Sequence, residues 1–259
     1  MKNKLALLIV CLLFMAPVLA GTKSVDESRK ASSDADVTIE LIAGTVRIIG
    51  WDRNEVRVTG TINDRWEELE ISGDEDDISI EIMPPDGSHR NVKLEADLEI
   101  SVPAGVELTF ETVSASVTLD GLTESVSVES ISGDVEVRSD LRELEIEAIS
   151  GTIEIEASVS LESVEVEVIS GNVTMSGDLH PSGDYTFESV SGRITLRVPA
   201  GTGADYEIET FSGRIENDFG PKPEKAEFLP ALSLSFTVGS GGADIEIETL
   251  SGTIRLLED

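Results

Sequence analysis

The stretch LEIEAISGTIEI, residues 144–155, decides the fold, because apolar residues occupy alternate positions on both sides of Ser150-Gly151. Period-two alternation is typical of a β-strand with one buried face. The Ser-Gly pair between the two runs predicts a corner, since glycine adopts backbone angles that other residues avoid. The serine hydroxyl can bond locally to backbone at such a corner. One unit therefore predicts two short strands joined by a bend.

This unit repeats along the chain. Counted from Ser114, the corner serines are separated by 18, 18, 20, 21, 21 and 39 residues. The last gap is about two units long, so we expect one coil there that lacks the marker. Val113-Ser114-Ala115 is a variant corner, and the others are Ile131-Ser132-Gly133, Ile149-Ser150-Gly151, Ile169-Ser170-Gly171, Val190-Ser191-Gly192, Phe211-Ser212-Gly213 and Leu250-Ser251-Gly252.

The positions four and six before each corner serine, and three and five after it, are almost all apolar. A unit of about 20 residues cannot bury such a face alone, but stacked units can. We therefore predict an all-β, single-stranded parallel β-helix (a β-solenoid). A β-sandwich would not keep one marker at near-constant spacing, and a propeller blade needs about 40 residues.

The two ends of the repeat are less regular. Ile42-Ala43-Gly44 is a degenerate first corner, and Ile71-Ser72-Gly73 has the triplet without the apolar columns. We expect a single domain over residues 34–259, with irregular coils in 34–105 that act as a cap and regular coils in 106–259. Three prolines predict that residues 217–230 form a loop lying against the stack, since proline cannot join a strand ladder.

The N-terminus resembles a secretory signal. Lys2 and Lys4 precede an uncharged run to Ala20, and Val18-Leu19-Ala20 suits signal peptidase. We predict cleavage after Ala20, a flexible segment over residues 21–33, and an exported product, periplasmic or extracellular, without membrane insertion. Cys11, the only cysteine of the chain, would leave with residues 1–20, which excludes disulfides and cysteine-based metal sites from the mature product.

The chain is strongly acidic, with 51 Asp and Glu against 19 Lys and Arg and a formal net charge of −32. Such a surface repels nucleic acid, which we exclude as a partner. One glutamate column stands three residues before the corner serines, and we expect it to form an outward ladder. It comprises Glu40, Glu111, Glu129, Glu147, Glu167, Glu188, Glu209 and Glu248, with Glu248 placed after the unmarked coil.

We interpret this column as a solvated face, with divalent-cation binding as the alternative, because calcium prefers carboxylate oxygens. The sequence has no calcium-loop motif, and we assign no metal, cofactor-binding or catalytic residues. His89 and His180 lie in turn-rich segments and are expected at the surface. Trp51 and Trp66 are expected to pack in the N-terminal cap, with a partner site as the alternative.

Several motifs together carry a family resemblance. VPAG occurs at residues 102–105 and 198–201, FSGRIENDFGP at 211–221, GSGGA at 239–243 and TLSG at 249–252. With the Ser-Gly corners, this pattern resembles the bacterial putative-adhesin β-strand-repeat family, a domain of unknown function in exported and envelope proteins. The resemblance covers residues 34–259 and implies a single-domain parallel β-helix at the cell envelope, with no catalytic residues.

We therefore expect a non-enzymatic, adhesin-like interaction or scaffold protein. Its partner would be an envelope protein, a cell-surface polymer, or a second copy bound through an end of the solenoid. Residues 217–230 are either a contact loop or a cover for the last coils. One alternative is a polysaccharide-acting β-helix enzyme, and another is a cation-responsive envelope stress protein that uses the glutamate ladder.

Overall fold

The computed structural model describes residues 21–63, 68–83, 96–226 and 230–258, all of them in strands or connecting segments. Within these residues, one 17-stranded sheet contains every strand. The strands are β1 (Thr22–Lys30), β2 (Asp36–Trp51), β3 (Glu55–Asn63), β4 (Glu68–Gly73), β5 (Asp77–Met83), β6 (Ala96–Pro103), β7 (Glu107–Asp120), β8 (Ser125–Ser132), β9 (Val135–Arg138), β10 (Glu143–Ala157), β11 (Ser163–Gly177), β12 (Asp184–Val198), β13 (Ala204–Thr210), β14 (Arg214–Asn217), β15 (Glu224–Lys225), β16 (Leu232–Val238) and β17 (Ala243–Glu258).

The central strands stack in parallel and in register at their corners. Ser150 of β10 pairs with Ser132 on one side and with Ser170 on the other, and Ser191 pairs with Ser170 and Ser251. The prediction that stacked units align their Ser-Gly corners is confirmed at these levels. The degenerate corner also keeps this register, since Ala43 of β2 pairs with Ser114 of β7.

A hydrogen bond explains the serine at six of the corners. The Ser150 hydroxyl donates to the Ile131 carbonyl of the neighbouring coil at 3.2 Å, and Ser170 donates to Ile149 at 3.3 Å. The bend leaves carbonyl groups that need a donor, and a stacked serine supplies one at these levels. The same bond recurs from Ser114, Ser132, Ser191 and Ser212.

The close approach of successive corners explains the glycine. Gly151 has a φ of +143°, and a Cβ added there would lie 2.0 Å from the Gly133 carbonyl oxygen. Both the backbone angle and the contact exclude a side chain. Ala115 is accommodated at the variant corner, where it is buried and its N–H donates to the Thr112 hydroxyl at 2.9 Å.

The predicted apolar columns form one continuous core. In β10, Leu144, Ile146, Ile153 and Ile155 are at most 2% exposed. Each such side chain contributes about 1.5–3 kcal/mol when it is fully buried. The segments that return from one bent strand to the next add buried leucines to the same cluster, namely Leu122, Leu141, Leu161 and Leu179.

The C-terminal end departs from the predicted chain order. The final strand β17 lies between β12 and the β13–β14 coil, instead of beyond them. The prediction of an unmarked parallel coil in the 39-residue gap is wrong, because β16 runs antiparallel along β13 and β15 pairs antiparallel with β16. The gap allows the chain to turn back and re-enter the stack one level earlier.

The N-terminal end shows a related arrangement. Strand β2 lies between β7 on one side and the β5 and β6 pair on the other, in parallel to all three. Antiparallel strands then cover this end, with β4 on β5, β3 on β6 and β1 on β3. Ile71-Ser72-Gly73 belongs to antiparallel β4 and is therefore not a stacked corner.

Two predictions are corrected by these ends. Residues 22–30 of the predicted flexible segment form β1, because all nine residues find a ladder partner in β3. The all-β class is confirmed and most pairings are parallel, but a strict single-stranded parallel β-helix does not describe the antiparallel ends or the inserted strands β2 and β17. The fold is better described as β-solenoid-like, with two strands inserted out of chain order.

Candidate binding groove

A groove with a volume of about 1060 Å³ runs along the corners of the stack. It extends from Met83 of β5 at one end to Leu232 of β16 at the other. Neighbouring strands of a sheet lie about 4.8 Å apart, so the eight levels between Glu40 and Glu209 span about 34 Å. The groove therefore follows the stack axis and crosses every central strand at the same place.

Exposed apolar side chains form one line of the groove, which we call the apolar ladder. Ile149, for example, is 46% exposed, whereas Ile146 three residues earlier is fully buried. Alternation along the strand directs the residue before each serine outward, beside the bend. The ladder consists of Ile42, Val113, Ile131, Ile149, Ile169, Val190, Phe211 and Leu250.

The predicted glutamate column forms a second line beside it, the glutamate ladder. Direct register pairs join Glu129 to Glu147, Glu147 to Glu167, and Glu167 to Glu188. The outward ladder is confirmed, with one correction. Glu248 lies between Glu188 and Glu209, because β17 is inserted there.

The stacked carboxylates oppose one another's ionisation. The charge of Glu188 raises the pKa of Glu167 above its ordinary value of 4.5, with smaller contributions from desolvation and from further glutamates. Desolvation, followed by neighbouring glutamate charges, also raises the pKa of Glu40 and of Glu248. In all three cases every neighbouring charge that acts on the carboxylate is negative.

Basic residues do not balance this ladder. No Lys, Arg or His is among the described residues that line the groove. The ion pairs formed within the described part of the chain use other carboxylates, such as Asp120 with Arg47 and Glu216 with Arg255. The groove therefore combines uncompensated negative charge with exposed apolar surface.

Sequence reasoning found the glutamates but missed the apolar ladder as surface. The apolar residue before each serine was interpreted only as part of the Ser-Gly corner motif. Its parity gave a usable signal, because it lies an odd number of positions from the buried columns that precede the serine and two positions from the glutamate, and so belongs to the outward face with the glutamates.

The other candidate residues lie away from the groove. His180 is in an exposed turn, where its Nδ1 accepts the Ser182 N–H at 3.3 Å. The Trp51 indole N–H donates to the Glu55 carbonyl at 2.7 Å, and Arg53 lies over the Trp51 ring, so the described contacts of Trp51 are local, and its cap role stays a prediction. His89, Trp66 and the signal residues 1–20 lie outside the described residues.

The loop predicted at residues 217–230 covers the C-terminal end of the stack over its described part. Phe219 packs edge-on against Tyr206, with ring centroids 5.7 Å apart. Phe236 of β16 stacks on the Tyr206 ring at 4.6 Å and meets Phe219 edge-on at 6.1 Å. Burial raises the pKa of the Tyr206 hydroxyl to about 12. These contacts favour the covering role, and a contact role of the loop stays a prediction.

Two features are absent from the described residues. Among the described residues, no three His, Cys, Asp or Glu side chains converge as a metal centre would require. In the same residues, no helix has the length and apolar character needed to cross a membrane.

Comparison with known proteins gives a family match and several distant structural matches. No curated protein matches the sequence. A putative cell adhesion protein from Clostridium sporogenes is 13% identical, with 92% of this chain and 100% of that chain covered and a TM-score of 0.38. A putative adhesin from Bacteroides fragilis is 12% identical, with 92% and 99% covered and a TM-score of 0.42.

A putative adhesin from Parabacteroides distasonis is 9% identical, with 91% of this chain and 97% of that chain covered and a TM-score of 0.40. The family model described as Toastrack DUF4097 matches residues 22–257, from the first strand to the last. The match thus includes the inserted strands, the antiparallel ends and every level of the groove. The chain belongs to the Toastrack DUF4097 family.

Proposed function

We propose that the protein is an exported, non-enzymatic, adhesin-like interaction protein that binds an envelope partner along the groove. The observation that carries the proposal is the continuous apolar ladder, whose members from Val113 to Leu250 are 45–54% exposed. Soluble proteins rarely expose a contiguous apolar strip without a binding role. The proposal includes export, which an envelope partner requires, and cleavage after Ala20.

The stack suits this role because it holds the ladder rigidly. Strands β10 and β11, which carry Ile149 and Ile169, pair along both edges with parallel neighbours, and their buried columns fix their register. A one-residue shift in strand register would turn every buried side chain outward. Burial of the core therefore fixes the register and keeps the ladder residues aligned. A preorganised surface of this kind loses little conformational entropy when a partner binds.

The test measures binding of the mature chain, residues 21–259, to isolated cell envelopes. The double variant I149T/I169T keeps β-branched side chains but removes apolar surface from the groove, and we expect about tenfold weaker binding. V159T is the matched control, because Val159 is 58% exposed and lies outside the groove. Absence of envelope binding by the unaltered chain, or equal loss in both variants, would refute the proposal.

A further inference from the structure

We infer that the groove binds a basic amphipathic polypeptide segment, laid along the stack with cationic side chains on the glutamate ladder and apolar side chains on the apolar ladder. The inference rests on the proposed function and specifies the chemistry of the partner. It follows from two properties of the groove.

The first property is charge without compensation. Eight glutamates line the groove at successive levels, and no described basic residue lines it with them. Like charges directly opposite each other on neighbouring strands are destabilising. A cationic partner would relieve this repulsion along the whole ladder, and an anionic partner would add to it.

The second property is the apolar ladder itself, which distinguishes a polypeptide from a simple cation. A metal ion or a small polyamine would neutralise Glu147 and Glu167 but would leave Ile149 and Ile169 exposed to water. An amphipathic segment covers both ladders at once, because its charged and apolar side chains lie on adjacent faces. The half-exposed isoleucines therefore favour a partner with apolar side chains.

The dimensions set the length of the segment. The ladders span about 34 Å, which corresponds to about 10 residues of extended chain or about 22 residues of α-helix. Met83 and the β16 residues Leu232 and Ser233 line opposite ends of the groove. A short segment therefore suffices to occupy the groove from end to end.

The experiment is titration calorimetry of the pure mature chain with synthetic peptides of 22 residues. One peptide places lysines on one helical face and leucines on the other, a second has the same composition in scrambled order, and a third replaces each lysine with glutamate. Calcium chloride alone is the fourth probe. We expect the first peptide to bind at least tenfold more tightly than the second, and the third to show no binding.

Matched variants locate the site. E147Q/E167Q removes two groove charges, and E145Q/E165Q removes two charges from the same strands and face but outside the groove lining. We expect the first variant to weaken peptide binding about fivefold and the second to change it less than twofold. I149T/I169T should weaken binding about tenfold, whereas V159T should not.

Three outcomes would overturn the inference. The first is equal binding of the scrambled peptide, and the second is an equal loss of peptide binding in the two glutamine variants. The third is that calcium is the only probe that binds the groove and that I149T/I169T leaves its binding unchanged. Thermal melts of each variant check that it is folded. Failure of the peptide-binding inference can be distinguished from failure of the proposed function. Envelope binding that depends on Ile149 while all peptides fail would leave the groove as a site with a different partner.

Discussion

At the scale of single residues, the corners are governed by how closely successive backbones approach. The corner glycines are needed less for local flexibility than for the absence of a Cβ next to the carbonyl oxygen of the neighbouring level. Gly171 and Gly192 meet the same limit as Gly151, with the nearest oxygen 2.4 and 2.0 Å from an added Cβ. The glycine column is thus a requirement of stacking.

Replacement of Gly151 by alanine tests this requirement. The Cβ would strike the Gly133 carbonyl, and the φ of +143° disfavours any L-residue, so we expect a loss of about 2–4 kcal/mol in the free energy of unfolding. Urea unfolding followed by circular dichroism measures the loss.

The matched control is Gly201→Ala. Gly201 also has a positive φ, +77°, but an added Cβ would meet nothing within 4 Å. Its expected cost is about 1 kcal/mol, from the backbone angle alone. Equal losses at Gly151 and Gly201 would show that the stacking contact is unimportant.

At the scale of elements, the order of the strands is the feature that sequence could not provide. The buried columns of β17 match those of every other bent strand, since Ile245, Ile247, Ile254 and Leu256 occupy the standard positions. Identical columns fit any level of the stack equally well. Neighbours in the chain, such as β10, β11 and β12, were therefore placed correctly, whereas the levels of β2 and β17 depend on non-local pairing.

The two ladders of the groove differ in how far the sequence predicts them. The glutamate ladder was visible because its residue type is constant, and its spacing needs only the register. The apolar ladder was less visible, because isoleucine at a strand position is compatible with burial, and only its parity with the glutamate column indicates the outward face. Strands β3, β4 and β16 show the same alternation as the parallel strands, and nothing in that alternation indicates that they run antiparallel.

Removal of β17 tests the inserted arrangement. A chain ending at residue 242 would lose four large, nearly fully buried side chains and leave β12 and β13 without a partner between them. At about 1.5–3 kcal/mol for each side chain, the loss approaches the 5–15 kcal/mol that stabilises a typical domain. We expect no cooperative thermal unfolding of this truncated chain in calorimetry.

Removal of residues 21–30 is the comparison. Strand β1 is also terminal, but it lies at the edge, pairs only with β3 and buries only Val25. We expect this truncated chain to unfold cooperatively with a lower melting temperature. Cooperative unfolding of both truncated chains would mean that β17 is not an integral level of the stack.

At the scale of the whole molecule, the acidic charge is tolerated because it is arranged on the outer faces of a stack that is held by its core. The electrostatic repulsion in this arrangement is strongest where the stack repeats a carboxylate at every level. Two other carboxylates have basic partners that lower their pKa values, namely Glu216 beside Arg255 and Asp26 beside Arg57. The two groups act on stability in opposite directions when the pH changes.

The raised pKa values of Glu40, Glu167 and Glu248 mean that the folded chain holds more protons than the unfolded chain just above the ordinary carboxyl range. Stability therefore falls as the pH rises through the folded pKa values, and it is regained on acidification. Lowered pKa values act in the reverse sense, because the stability from Glu216 and Asp26 is lost as the pH falls through their folded values, below the ordinary range.

We therefore expect the melting temperature to rise as the pH is lowered from 7 to about 5 and to fall again below about 4. Scanning calorimetry at constant ionic strength measures this profile. The variant E147Q/E167Q should flatten the rise, since glutamine cannot be charged, whereas E145Q/E165Q should flatten it less. Salt at about 0.5 M should also reduce the rise by screening the exposed ladder. A melting temperature that falls steadily from pH 7 downward would mean that the paired carboxylates, and not the stacked ones, dominate the electrostatics of the fold.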